Sequence, residues 1–86
     1  MPYSIELSRE AQKQLAALSD EELQQQISTA INELSSQPRP NGVSKIKGMT
    51  DVYRIRVRDY RVVYQIRDKQ LLILVLRVKH RREAYR

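Results

Sequence analysis

Arginine is the residue type best able to do chemistry in this chain, and its spacing is the first signal. Between residues 52 and 57, Tyr53, Ile55 and Val57 alternate with Arg54 and Arg56, the period of a strand with one apolar and one cationic face. Beyond a turn at Arg58-Asp59, Tyr60, Val62, Tyr64 and Ile66 repeat the apolar alternation and send Arg61 to the other side. If both apolar stripes pack on the same layer, Arg54, Arg56 and Arg61 share one patch of sheet. Guanidinium forks match phosphate oxygens with paired hydrogen bonds and repel one another without an anion, so this clustering suits a phosphate-bearing ligand. A row of solvated arginines on an exposed sheet face is the alternative reading of the same pattern.

The C-terminal run His80-Arg81-Arg82-Glu83-Ala84-Tyr85 adds groups able to move a proton. In a helical turn Arg81 and Tyr85 stand at i and i+4 and meet on one side. Tyrosine, with a pKa near 10, is a poor base, but neighbouring arginines favour its phenolate. His80 is the only histidine, the side-chain type that ordinarily titrates near neutrality. The plainer readings are a hydrophobic peg for Tyr85 and a strand-end surface residue for His80. Asp51, Asp59 and Asp68 fall in turns with no spacing that would gather them around a metal ion. Two glycines cannot build a phosphate-binding loop, and no cysteine is available as nucleophile or zinc ligand. The chemistry left is free of metal and cofactor: cations and proton transfer acting on a phosphodiester. RNA suits it better than DNA, because its 2′-hydroxyl supplies the nucleophile.

Charge is divided unevenly along the chain. Residues 1–42 carry three basic and six acidic side chains, a net of −3, and residues 43–86 carry thirteen basic and four acidic, a net of +9. So basic a half attracts polyanions, although a solubilising surface would also account for the count. Eighty-six residues, 41% of them hydrophobic, make a single domain spanning residues 1–86 with a modest core. The longest apolar run, residues 71–76, is far short of the roughly 20 residues of a membrane helix. With no signal-peptide pattern, the expected setting is the cytoplasm.

The positioning elements can be read from the same periodicities. Residues 3–7 alternate as a half-buried strand. Ser8 then caps a helix with Ala11, Leu15 and Leu18 on one face. Ser19-Asp20-Glu21-Glu22 reads as a capping box, with Leu18 and Leu23 as its hydrophobic staple, opening a helix striped by Leu23, Ile27, Ala30, Ile31 and Leu34. Pro38, Pro40 and Asn41-Gly42 end this helical region. Strands follow over 43–47, 52–57, 60–66 and 71–78, the last apolar on both faces, and residues 79–86 form a basic tail or a single helical turn. The expected fold is α+β: an N-terminal strand and helical hairpin packed on a C-terminal antiparallel sheet of about four strands, with the arginines on the far face.

Three blocks, Lys45-Ile-Lys-Gly-Met-Thr-Asp-Val-Tyr-Arg-Ile-Arg-Val, Asp59-Tyr-Arg-Val-Val-Tyr-Gln-Ile and His80-Arg-Arg-Glu-Ala-Tyr85, resemble RelE-type toxins of bacterial toxin-antitoxin systems, and the likeness runs the length of the chain. The resemblance implies a ribosome-dependent endoribonuclease, or mRNA interferase, that cuts mRNA in the ribosomal A site. Its products carry a 2′,3′-cyclic phosphate and a 5′-hydroxyl, and a cognate antitoxin, RelB-like or other, blocks it. By position it assigns phosphate neutralisation to Arg54, Arg56 and Arg61, and the general base to Tyr85. The 5′-oxygen falls to Arg81 or His80. The family's best-known pattern has lysines at the first two positions, where this chain has arginines. Lys45, Lys47, Arg58, Lys79 and Arg82 are expected to contact ribosomal RNA. The wider superfamily also holds ParE-type toxins, which poison DNA gyrase and have no use for a catalytic tyrosine; a ParE-like gyrase poison is the alternative.

Overall fold

The computed structural model describes residues 2–84. The chain runs β1 (Ser4–Leu7), α1 (Arg9–Ala16), α2 (Glu21–Glu33), β2 (Ser44–Lys45), β3 (Val52–Val57), β4 (Tyr60–Arg67), a 3-10 turn (Asp68–Gln70), β5 (Leu72–His80) and α3 (Arg81–Ala84). Five strands form one sheet in the order β1-β5-β4-β3-β2. β1 lies parallel to β5 and the other pairs are antiparallel, so the sheet is mixed. Among the described residues no helix is long and apolar enough to cross a membrane.

One face of the sheet carries the core. Ile27, Ile31 and Leu34 of α2 and Ala11 of α1 pack with Ile55, Val62, Tyr64, Ile66, Ile73, Val75 and Val78, all buried. Tyr64 is fully buried and donates its hydroxyl to the Pro38 carbonyl at 2.7 Å, which pins the loop after α2 to the sheet. Burial pushes its phenol up to about 12.

α1 and α2 each start on a polar cap. The Ser8 hydroxyl accepts from the Ala11 N–H at 3.0 Å, as its position suggests. At α2 the cap is Asp20 and not Ser19: the Asp20 carboxylate accepts from the Leu23 N–H at 3.1 Å. A carboxylate at this position also meets the positive end of the helix dipole, which an uncharged serine does less well. The one-residue shift dissolves the capping box and its staple register, yet Leu18 and Leu23 still pack on the core. Asp20→Ala is expected to cost about 0.5–2 kcal/mol of unfolding free energy, against about 0.5 kcal/mol or less for Ser19→Ala, by urea denaturation.

The strands also differ from the alternation in three places. β2 is two residues long and β5 extends through His80, so Lys79 and His80 belong to the sheet and only the turn after them is helical. Between Val63 and Tyr64 the β4–β5 register slips: Val63 faces Arg77 and Tyr64 faces Val75, leaving Leu76 as the extra residue of a bulge. The bulge turns both Val75 and Val78 inward, three residues apart. Where β1 ends, α1 completes the edge of β5: the Ser8 hydroxyl donates to the Leu76 carbonyl at 2.6 Å and the Gln14 side-chain oxygen accepts from the Val78 N–H at 2.6 Å. Those contacts satisfy backbone groups that would otherwise leave an open strand edge.

Candidate active site

The face of the sheet away from the helices is cationic. Arg56 on β3 and Arg61 on β4 are direct cross-strand partners, and Arg61 is in turn opposite Lys79 on β5. Cross-strand partners project to the same face, so the three form one row across three strands. The next row holds Arg54, Val63 and Arg77. Arg61 is only 9% exposed, Arg54 is half-buried and Arg56 is exposed. Arg61 Nη1 lies 3.5 Å from the Tyr60 carbonyl. Acidic groups stand at the β1 side of this face: Glu6 is opposite Leu74, and Glu10 of α1 lies 3.8 Å from Arg77.

The turn joining β3 to β4 sets the edge of this patch. Arg58 takes a left-handed backbone conformation, φ 55°, where glycine is the usual residue. Its carbonyl accepts from Arg56 Nε at 3.2 Å, and the neighbouring Asp59 carbonyl accepts from the Arg81 N–H at 2.7 Å. A single tight turn thereby orients Arg56 and fixes where α3, with Arg81 at its start, leaves the sheet.

The other candidate residues are spread around this row. His80 pairs with Tyr60 and is on the core side of the sheet, its ring edge-on to Tyr60 at 5.4 Å, with Nδ1 accepting from the Arg82 N–H at 3.2 Å. It is therefore across the sheet from the arginine row, while Lys79 is within it. Arg81, Arg82, Lys47 and Arg58 are exposed around the rim. Lys45 faces Tyr53 and so stands on the helix side of the edge strand. Tyr85 lies outside the described residues. Arg77 escaped the sequence reading because the bulge at Leu76 reverses the parity of β5; the charge itself, alone in an apolar run, was the available signal.

Of the candidate arginines, Arg56 borders a hollow of about 380 Å³ between α2 and β3, lined also by Leu34, Gln37 and Ile55. A surface depression of about 630 Å³ between β1, α1 and α2, lined by Leu7, Gln12, Gln24 and Ser28 among others, holds none of the candidate residues. An open cationic sheet fits a polymer backbone laid across it better than a small molecule. Among the described residues no three His, Asp or Glu side chains gather closely enough to hold a metal ion.

On the opposite side from the cationic row, a polar clasp ties four chain segments together. Asp68 accepts from the Tyr3 hydroxyl at 2.5 Å and from Arg39 at 2.9 Å, and the Arg39 guanidinium lies over the Tyr53 ring, 5.4 Å from its centre. The Arg39 bond, then the Tyr3 bond, hold the Asp68 carboxyl below its ordinary value. As pH falls, the unfolded chain takes up this proton before the folded one does. The clasp's contribution is therefore complete above the ordinary aspartate value and is lost as pH drops through it toward the lower folded one. Asp68→Asn is expected to remove that part of the acid dependence, so its Tm falls less than wild type between pH 5 and pH 3 in thermal melts.

Comparison with known proteins agrees with this fold. The family model described as ParE toxin of type II toxin-antitoxin system, parDE, matches residues 5–85. The mRNA interferase toxin RelE of Escherichia coli K12 is 30% identical, over 99% of this chain and 92% of its own. Toxin RelG of Mycobacterium tuberculosis is 29% identical over 100% of this chain and 99% of its own. A free-state mutant of E. coli toxin RelE superimposes with a TM-score of 0.82 at 28% identity, covering 99% of this chain and 90% of that one. The Pyrococcus horikoshii toxin in the archaeal RelE-RelB complex gives a TM-score of 0.82 at 29% identity, covering 94% and 97%. With a toxin-family model spanning nearly the whole chain and RelE toxins matching it end to end in sequence and in fold, this chain belongs to the RelE/ParE family of type II toxin-antitoxin toxins and is of the RelE type.

Proposed function

We propose that this toxin is a ribosome-dependent endoribonuclease that cuts mRNA in the ribosomal A site without a metal ion and so halts translation. The observation that carries the reading is Arg56 directly opposite the nearly buried Arg61 on the sheet face away from α1 and α2. Support comes also from the relatives named mRNA interferase. In the proposed reaction Tyr85 takes the proton of the RNA 2′-hydroxyl, whose oxygen attacks the adjacent phosphorus. Arg54, Arg56 and Arg61 stabilise the extra negative charge of the pentacovalent phosphate. The 5′-oxygen then leaves, giving a 2′,3′-cyclic phosphate and a 5′-hydroxyl. Arg81 is the better placed of the two candidates for that oxygen, since His80 is on the core side, and arginine serves it by stabilising charge because it cannot donate a proton near neutrality.

An open face with few groups for proton transfer works if the ribosome presents the RNA already bent for in-line attack, because orientation alone supplies several kcal/mol. A cognate antitoxin is the second partner; RelB-RelE complexes are among the structures this chain resembles. An acidic segment of it would complement the arginine face. The family description as ParE favours a second reading, a DNA gyrase poison without nuclease activity. The two separate on purified ribosomes programmed with mRNA carrying a single 2′-deoxynucleotide at the cut position. The cleavage reading requires that the natural mRNA is cut with a cyclic phosphate end and the deoxy mRNA stays whole. Cutting of both, or of neither, would contradict it.

A further inference from the structure

The row that holds Arg56 and Arg61 does not end at β4. Lys79 is the Cα partner of Arg61 on β5, so three cations stand on three adjacent strands, and neighbouring strands lie about 4.8 Å apart. One row along, about 7 Å away by strand rise, Arg54 and Arg77 flank Val63. Like charges directly across a ladder destabilise a sheet, and this chain keeps them on three strands in succession. Among the described residues no ion pair engages Lys79, and Arg77 has only the long, exposed contact to Glu10 at 3.8 Å, a type of pair that contributes little and is readily exchanged.

We infer that Lys79 contacts the same RNA phosphate as Arg56 and Arg61, and that Arg77 binds the next phosphate along the strand, exchanging Glu10 for it. This rests on the cleavage reading and changes the part assigned to β5. Lys79 becomes a direct contact to the reacting phosphate and not a peripheral contact to ribosomal RNA, and Arg77, which no motif marks, becomes a substrate contact. Arg54, Arg56, Arg61 and Lys79 around the reacting phosphate, with Arg77 beyond them on the far side of Val63, then form a track two phosphates long, read by charge and not by base. Lys79 is half-buried and is the cross-strand partner of Arg61, so its stem has less freedom than that of an exposed rim lysine.

Single-turnover cleavage on purified, mRNA-programmed ribosomes tests this with Lys79→Gln, Lys79→Arg, Arg77→Gln and, as a charge-loss control on α1, Lys13→Gln. Lys79→Gln is expected to lower the rate at saturating ribosome by about tenfold or more, the scale of one charge-assisted hydrogen bond, with the half-saturating concentration little changed. Lys79→Arg should recover most of that rate. Arg77→Gln should raise the half-saturating concentration and flatten its salt dependence while leaving the saturated rate near wild type. A Lys79→Gln rate equal to that of Lys13→Gln, or a loss confined to the half-saturating concentration, overturns the inference while leaving the cleavage reading in place. Wild-type toxin that leaves the mRNA whole overturns the cleavage reading itself. Thermal melts of all four variants separate loss of contact from loss of fold.

Discussion

Replacing Arg61 by alanine is expected to lower the rate of mRNA cleavage on the ribosome by about 10²–10³-fold, the cost of removing one donor aimed at transition-state charge. Of the three arginines it is the most buried, at 9% exposure, and it occupies the middle of the cationic row between Arg56 and Lys79. Its guanidinium is therefore the least screened by water, and its attraction for a phosphate gaining charge the strongest. Arg61→Lys keeps the charge but loses the planar fork, and should fall between wild type and alanine. The Arg61 stem is nearly buried and its Nη1 lies 3.5 Å from the Tyr60 carbonyl, so alanine also removes packing and is expected to lower the melting temperature by a few degrees. A rate loss of this size in protein that is still folded at the assay temperature, measured on the same preparations, is the expected signature. A rate loss that only tracks the unfolded fraction would make Arg61 a structural residue.

The second large effect is expected at Tyr85. If its phenolate takes the proton from the 2′-hydroxyl, Tyr85→Phe removes general base catalysis and lowers the rate by about 10²–10⁴-fold, while the apolar ring and the binding it provides remain. Ribosome binding, followed by co-sedimentation, should then be nearly intact. The expected rate at fixed ribosome also rises with pH for wild type, as more phenolate forms, and loses that slope in the variant. Equal loss of binding and cleavage would make Tyr85 an anchor for the tail.

The arginine face was legible in the sequence because two strands alternate strictly: once Tyr53, Ile55 and Val57 face the core, Arg54 and Arg56 cannot, and the hairpin carries Arg61 to them. The α+β class and both helices followed from equally local periodicity. Long-range pairing did not. Alternation over residues 3–7 says that one face is buried but not which strand lies alongside, so the parallel union of β1 with β5 across 64 intervening residues, from Leu7 to Leu72, was out of reach. The bulge at Leu76 was hidden for a related reason. In an apolar run such as Leu-Leu-Ile-Leu-Val-Leu, every register looks alike, and the faces of Arg77, Lys79 and His80 depend on it. The cap at Asp20 in place of Ser19 turned on two adjacent residues that are both good caps, which propensity alone does not separate.

The central claim is that the arginine face cuts RNA as it is being read. Its most direct test is induction of the toxin in bacterial cells followed by mapping of mRNA 5′ ends, with wild type beside Arg61→Ala and Tyr85→Phe. The result expected is a set of new 5′ ends inside translated frames, in phase with codons, present for wild type and absent for both variants. Growth arrest with intact mRNA and an induced DNA-damage response would contradict it and place the toxin with the gyrase poisons.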